Sequence, residues 1–336
     1  MTIQDELTVK YLRIGFLGFG KMGNIRYQTL NEMEQCEALT VYENNDDIVT
    51  PENLKRVNSV EEVISSKDVD AVVISVPNYL IKSYVIASLE SGKHVFCEKP
   101  PGINLTEVLA MKEAMEKSGC KLMFGFNHRH HQSVIKSKEI VDSRQFGEVL
   151  WMRGRYGKSV PEKFFNNWRS KKKFAGGGIF LDQGIHMLDL FMHLIGPFQE
   201  VKSFVSNLYW KGDVEDNVFA LFRNKKGQVA SLHSTMTQWR HLFSLEVFME
   251  QGYLVLNGLK TGSNSYGEEV LNIITNRTEP PQAIWTEEDT FTFSIDDSWE
   301  RELNNFCEAI FENYAIESCG IEDAENLMRM VEKVYQ

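Results

Sequence analysis

The stretch RIGFLGFGKMGNIR constrains this chain more than any other, because Gly18, Gly20 and Gly23 stand in GxGxxG spacing directly after an apolar, β-branched run. Glycines at those positions let the turn tighten and the backbone approach a pyrophosphate, whose charge then sits at a helix N-terminus. The flanking pattern agrees with that use. From Tyr11 to about Phe126 the short runs YLRIGFLG, ALTVYE, DAVVISVP, KHVFCEK and KLMFGF alternate with helical stretches. Those stretches are Ile25 to Gln35, a short helix opened by the capping pair Ser59 and Glu62, Tyr79 to Glu90, and one starting near Asn104 and Glu107. Such alternation predicts an α/β, doubly wound parallel sheet covered by helices.

Beyond about Gly147 the texture changes to longer alternating runs, EVLWMRGRY, DNVFALFR, QVASLHSTM and HLFSLEVFME, separated by the turn signals NKKG and QG. That pattern predicts a mainly antiparallel sheet in an α+β half. GLKTGSNSYGEE reads as a polar loop, and the C-terminus is helical from about Ser298. The chain therefore divides into residues 1–124, a dinucleotide-binding domain, and residues 125–336, an α+β domain with a large open sheet; 336 residues suffice for two cores. With 36 basic against 47 acidic residues the net charge is −11, which would repel a phosphate backbone and excludes nucleic acid as the expected partner. Five scattered cysteines without a CxxC pair suit a reducing compartment. The N-terminus MTIQDELTVKYLRIG lacks a signal-peptide pattern and no segment is apolar enough to span a bilayer, so the expectation is cytoplasmic with no membrane partner.

Several residues carry chemistry in their own right. Glu43 ends the second strand about twenty residues beyond the glycines, where an acid accepts hydrogen bonds from ribose hydroxyls and favours NAD. Lys21, inside the turn, keeps NADP open through a phosphate contact. Lys99 follows the strand HVFCE at its C-terminal end, the edge of an open α/β sheet where ligands bind, and lies between Glu98 and Pro100. A helix expected from about Ile179 to Ile195, stopped by Gly196 and Pro197, places Asp182, His186, Asp189 and His193 within an arc of roughly 60° on an otherwise apolar surface. Four ionisable groups there are costly to bury without a task. Acid–base chemistry, a metal site and a satisfied structural network all fit that stripe. Met236, Trp239, Arg240 and His241 are read as a possible substrate wall, with packing as the alternative.

Taken together, GFLGFGKMG, VPNYL, GKHVFCEKPP, GFNHRH, WRSKKKFAGGG and LDQGIHMLDL resemble the Gfo/Idh/MocA oxidoreductases, the family of glucose-fructose oxidoreductase and inositol 2-dehydrogenase, over nearly the whole chain. The resemblance implies a Rossmann domain followed by a domain whose open sheet makes homodimer or homotetramer contacts. It implies Lys99, Asp182 and His186 as catalytic residues, no metal, and Asp189 and His193 as supporting groups. It further implies a cofactor held by Gly18, Phe19, Gly20, Lys21, Met22, Gly23, Glu43, Pro77, Asn78 and Glu98, with NAD preferred and NADP possible. Asn127, Arg129, Tyr156, Trp168 and Arg169 join the three catalytic residues as substrate contacts; for the last four, contact with the nicotinamide, or a plain surface charge or packed aromatic, is the alternative. The implied reaction is hydride transfer between nicotinamide and a secondary alcohol or ketone of a polyhydroxylated small molecule: a sugar, cyclitol or nucleotide sugar. A non-catalytic dinucleotide sensor, or a hydrolase or epimerase with tightly held NAD, is the alternative. Two features depart from the family pattern: Tyr79 and Ile81 stand where a histidine often follows the VPN segment, and the stretch from Glu43 to Asp70 is short.

Overall fold

A computed structural model describes residues 11–275 and 288–336, so most of the acidic N-terminal segment lies outside the described residues. The first half builds a six-stranded parallel sheet from β1 (Leu12–Leu17), β2 (Cys36–Tyr42), β3 (Lys55–Val57), β4 (Ala71–Ile74), β5 (His94–Glu98) and β6 (Leu122–Gly125), in the order β3-β2-β1-β4-β5-β6. The order reverses direction between β1 and β4, the switch point at which open α/β sheets bind ligands beyond their strand C-termini. Strands β4 and β6 are buried throughout, which is why their sequences are continuous apolar runs and not alternating ones. The intervening helices are α1 (Lys21–Asn31), α2 (Val60–Ile64), α3 (Asn78–Glu90) and α4 (Leu105–Ser118). The two capping signals act as the sequence predicts: Ser59 Oγ accepts from the Glu62 amide at 3.2 Å and Asn104 Oδ1 from the Glu107 amide at 3.0 Å. Helix α1 starts four residues earlier than the expected Ile25, because Gly20 itself is its N-cap.

The chain then runs through a 3-10 turn (Asn127–His130) and α5 (Gln132–Ser143) into the second half. There β7 (Val149–Ser159), β8 (Phe198–Ser206), β9 (Asn217–Asn224), β10 (Val229–Thr235), β11 (Thr237–Met249), β12 (Gly252–Asn257), β13 (Glu269–Thr275) and β14 (Asp289–Phe293) form an eight-stranded sheet in the order β14-β13-β12-β11-β7-β10-β9-β8. All its pairings are antiparallel except β7 with β10. A short helix, α6 (Lys172–Ala175), precedes the helix α7 (Ile185–Ile195) that lies on one face of this sheet. Contact there is close: a Cβ at Gly154 of β7 would sit 2.5 Å from the Met187 side chain. The opposite face leaves Trp151, Phe219, Leu221 and Val229 exposed, on neighbouring strands in register. Two final helices, α8 (Ser298–Phe311) and α9 (Ile321–Tyr335), return to the first half, where the Phe124 amide donates to the Cys319 carbonyl at 2.8 Å and Lys112 pairs with Glu322 at 2.6 Å. One large apolar core runs through both halves. No described helix is long and apolar enough to cross a membrane.

One element differs from the sequence expectation in a way that matters for the site. The continuous helix predicted over 179–195 opens with a π-helical turn, Phe180–Gly184, before α7. Both carboxylate oxygens of buried Glu215 accept backbone bonds just before it, from Gly178 at 2.7 Å and Phe180 at 3.0 Å. Gly184 is pressed against β10, where a Cβ would come within 2.9 Å of Ser234 Oγ. The wider turn departs from the 100° per residue on which the arc holding Asp182 was calculated.

Candidate active site

At the C-terminal edge of β1 the glycine turn has the shape its sequence predicts. Gly18 sits at φ +88°, and a Cβ there would lie 2.5 Å from the Ser75 carbonyl oxygen; a Cβ on Gly23 would lie 2.4 Å from the Gly18 carbonyl oxygen. Gly20 meets nothing within 4 Å, and no side chain caps α1. Uncapped amides at a helix start, beside open space, fit a pyrophosphate. Glu43 reaches back to this turn: its Oε2 accepts from the Phe19 amide at 2.6 Å. Phe19 itself is buried against Phe16 and Tyr27, so it anchors the turn, while Lys21 is exposed and Met22 half-buried beside it. Along the same edge Pro77 caps α3, and the Asn78 amide group donates to the Ala175 carbonyl at 2.8 Å, tying the first half to the segment before the π-turn.

Lys99, next along that edge after β5 and joined to Pro100 by a cis peptide bond, donates from Nζ to the Asp182 carbonyl at 2.6 Å and lies 3.6 Å from its carboxylate. The other oxygen of that carboxylate takes the ammonium of Lys158, from β7. Burial alone would raise the Asp182 carboxyl, but Lys158, Lys99 and the Arg169 guanidinium outweigh it and hold it well below the usual carboxylate range. Burial lowers the Lys99 ammonium, Lys158 and Arg169 lower it further, and Asp182 works against them. These side chains keep some exposure, 20% for Lys99, 16% for Lys158 and 29% for Asp182, so they face an opening rather than the core.

His186, from the first turn of α7, completes the group. Its ring stacks on His128 with centroids 3.9 Å apart and meets Phe126 edge-on. Burial pushes its pKa well below the usual histidine value, with Lys99 adding to the effect, so the imidazole is neutral near pH 7. Its Nδ1 is sealed without a hydrogen-bond partner. His128 bonds through Nε2 to the Tyr156 hydroxyl at 2.9 Å and through Nδ1 to Asn127 at 3.1 Å. Tyr156 packs on Tyr266, whose hydroxyl accepts from the Gln183 amide group at 2.8 Å.

Sequence reasoning did not single out Lys158, His128, Gln183 and Tyr266. Lys158 had a signal: Met152, Gly154, Tyr156 and Lys158 alternate along β7, so the period of two puts Lys158 on the Tyr156 face.

Other expected contacts go elsewhere. The Glu98 carboxylate faces the interior, held by Arg26 at 2.7 Å, and does not point to the cofactor edge. Arg129 gives Nε and one terminal nitrogen to Asp189 and the other to Asp323 and Ser318, so its guanidinium cross-links α7 and α9 and is not held out for a substrate. Asn127 donates to Ser298 Oγ as well as meeting His128, again an internal role. Trp168 is half-buried under the exposed Arg169, whose guanidinium carbon sits 4.4 Å from its ring. Of the proposed wall, Met236 is buried in a small separate cluster with Val160, Ile179 and Val214. His241 packs on Tyr266, while Trp239 is exposed and meets Tyr209 edge-on.

Comparison with known proteins gives a consistent picture. Residues 12–126 match an oxidoreductase family with an NAD-binding Rossmann fold, and residues 134–255 match the GFO/IDH/MocA C-terminal domain. The 2,7-anhydro-N-acetylneuraminate hydratase of Escherichia coli K12 is 26% identical over 74% of this chain and 66% of its own. The myo-inositol 2-dehydrogenase of Thermotoga maritima is 27% identical over 74% of this chain and 76% of its own. The chain spans 57% to 66% of the length of three of the matched curated proteins, the hydratase included. Among solved structures, levoglucosan dehydrogenase in complex with NADH and levoglucosan superposes with a TM-score of 0.83 at 22% identity, covering 97% of both chains.

Proposed function

The chain belongs to the Gfo/Idh/MocA family, and from that premise we propose that it is an NAD(P)-dependent oxidoreductase acting on a secondary alcohol or ketone of a polyhydroxylated small molecule. The observation that carries this reading is the meeting of Lys99, Asp182 and His186 at the same sheet edge as the open glycine turn. Gly18, Gly20, Gly23 and the uncapped start of α1 would hold the pyrophosphate of the dinucleotide, and Glu43 its adenosine ribose, which favours NAD. Bound there, the nicotinamide supplies the hydride acceptor or donor.

The protein's own groups supply the rest. With Nδ1 sealed, His186 has Nε2 to take the hydroxyl proton of a carbinol, and neutrality at pH 7 suits it as the base. Lys99 places a positive charge where an alkoxide develops, in a partly desolvated site where that charge acts strongly. Asp182 holds both ammoniums in register. His128, fixed by Tyr156 and Asn127, supports the His186 ring face to face. The reverse reaction uses the same groups.

We further infer a homodimer or homotetramer that covers the open sheet face, and a reducing, cytoplasmic setting, in keeping with five free thiols. Light scattering at micromolar protein should show an oligomer; a monomer contradicts that part. The activity itself is tested by NADH formation with cyclitols, sugars, uronic acids and nucleotide sugars, comparing native protein with Lys99→Ala and His186→Ala. Turnover lost in both variants, with NADH binding kept, is the expected result. Undiminished turnover in either variant removes the assigned roles.

A further inference from the structure

The charge at this site is unbalanced. Lys99 and Lys158 both contact a single carboxylate, Asp182, and the Arg169 guanidinium acts on it from further off. The other nearby acid, Glu98, is already held by buried Arg26. Burial keeps the facing rings of His186, His128 and His241 neutral near pH 7, and it keeps Tyr156 and Tyr266 protonated, so no further anion comes from them. Arg169 has no ion pair among the described residues, and Lys158 has none there other than Asp182. Two positive charges are left over in a chain whose net charge is −11, so this is not the general character of its surface.

The sheet keeps one of them open. Register between β11 and β7 jumps from Thr237 opposite Ser159 to Leu242 opposite Gly157, so Gln238–His241 form a bulge across from Lys158 and leave it without a ladder partner on β11. Arg240, on that bulge, adds a further exposed cation without an ion pair among the described residues. One excess charge is accounted for by the alkoxide that develops beside Lys99. The second, the exposed guanidinium of Arg169, has no counterpart in a neutral sugar or cyclitol and is left to water.

We propose that the substrate carries an anionic group, a carboxylate or a phosphate, and that Lys158 with Arg169 binds it. This rests on the oxidoreductase reading and narrows its substrate to an anionic sugar. Lys158 is a specificity residue here. It holds the anion through donors that Asp182 does not use, and Arg169 adds a planar fork suited to either oxyanion.

The test uses the full-length protein saturated with NADH, its cofactor binding first checked by fluorescence. D-glucose, D-glucuronate and D-glucose 6-phosphate are then titrated by calorimetry. At least one anionic sugar should bind roughly tenfold or more tighter than glucose, and the better of the two identifies carboxylate or phosphate. Lys158→Gln should erase that preference, Lys158→Arg should retain it, and added salt should weaken it. Arg169→Gln, a change at an exposed side chain, should reduce it without disturbing the fold. Glucose binding as well as both anions, no binding of either anion, or an anion preference unchanged in Lys158→Gln and Arg169→Gln overturns the proposal. If NADH binds and neutral sugars, but not anionic ones, are oxidised once NAD+ is supplied in its place, the oxidoreductase reading stands while this inference falls; if NADH does not bind, both fall.

Discussion

Two ion clusters in this molecule use the same kinds of side chain and differ in what is left over. In the interior, Arg26 is fully buried between the rings of Phe96 and Trp299, with Nε and one terminal nitrogen on Glu98 and the other terminal nitrogen on Glu302, each at 2.7 Å. At the sheet edge, Lys99 and Lys158 share Asp182 and keep part of their surface open. The first cluster has more carboxylates than cations, and burial raises Glu302 to about 7, with Arg26 opposing the shift. The second has more cations than carboxylates. A closed cluster with an acid excess locks α1, β5 and α8 together, whereas an open one with a cation excess can still receive a ligand.

The comparison breaks first on turnover. Lys99→Ala should lower kcat by about 10²–10³-fold, as for loss of a group that stabilises developing charge, while unfolding free energy changes by less than about 1 kcal/mol. Arg26→Met should do the reverse. Removing one partner of a buried pair leaves uncompensated charge and costs about 3–5 kcal/mol, read as a fall in the urea midpoint. Equal stability loss in the two variants would erase the distinction.

Acid sharpens it next. His128 and His186 are held well below the usual histidine value, His130 at about 4 and His193 at about 3, in each case chiefly by burial. Unfolded, each takes a proton near 6.5, so below that pH the unfolded chain binds more protons and stability falls as pH drops. Each proton of difference contributes ~1.4 kcal/mol per pH unit. Glu302 opposes this between 4.5 and 7, because there the folded state holds the extra proton. With His94, His233 and His241 also held low, seven histidines against the raised carboxyls of Glu302, Glu215 and Asp189 predict a net loss of stability from pH 6.5 to 5. A flat urea midpoint over that range would contradict it. For the same reason the acidic limb of kcat/KM should lie below pH 6.5.

The smallest effects separate two glycines of one turn. Gly18→Ala forces a left-handed residue and a backbone clash, costing about 1–3 kcal/mol. Gly20→Ala should leave stability within about 0.5 kcal/mol yet weaken NADH binding, since its Cβ enters open space beside the helix start. Unchanged NADH affinity in Gly20→Ala would move the pyrophosphate elsewhere.

The first half was legible because its signals are local. Buried parallel strands read as apolar runs, the glycine turn announces its own backbone, and Ser59 and Asn104 cap within three residues of themselves. The site was legible only where a motif spans it. Lys99, Asp182 and His186 were named from such motifs, but the π-turn that carries Asp182 bonds to Glu215 and packs against Ser234, both distant in sequence. Glu98 and Arg129 behave differently: each sits in a recognisable motif, and Arg26 and Asp189, supplied from elsewhere in the chain, draw their charges inward. A charged side chain's destination is set by its partner, and pairing across 60 or more residues leaves no periodic trace.

The most direct measurement is a single turnover on a substrate deuterated at the reacting carbinol carbon, with the cofactor analysed by mass spectrometry. The account predicts that the nicotinamide gains the label in the native protein, and about 10²–10³-fold more slowly in Lys99→Ala. Cofactor bound at the glycine turn that stays unlabelled while substrate is consumed would contradict it.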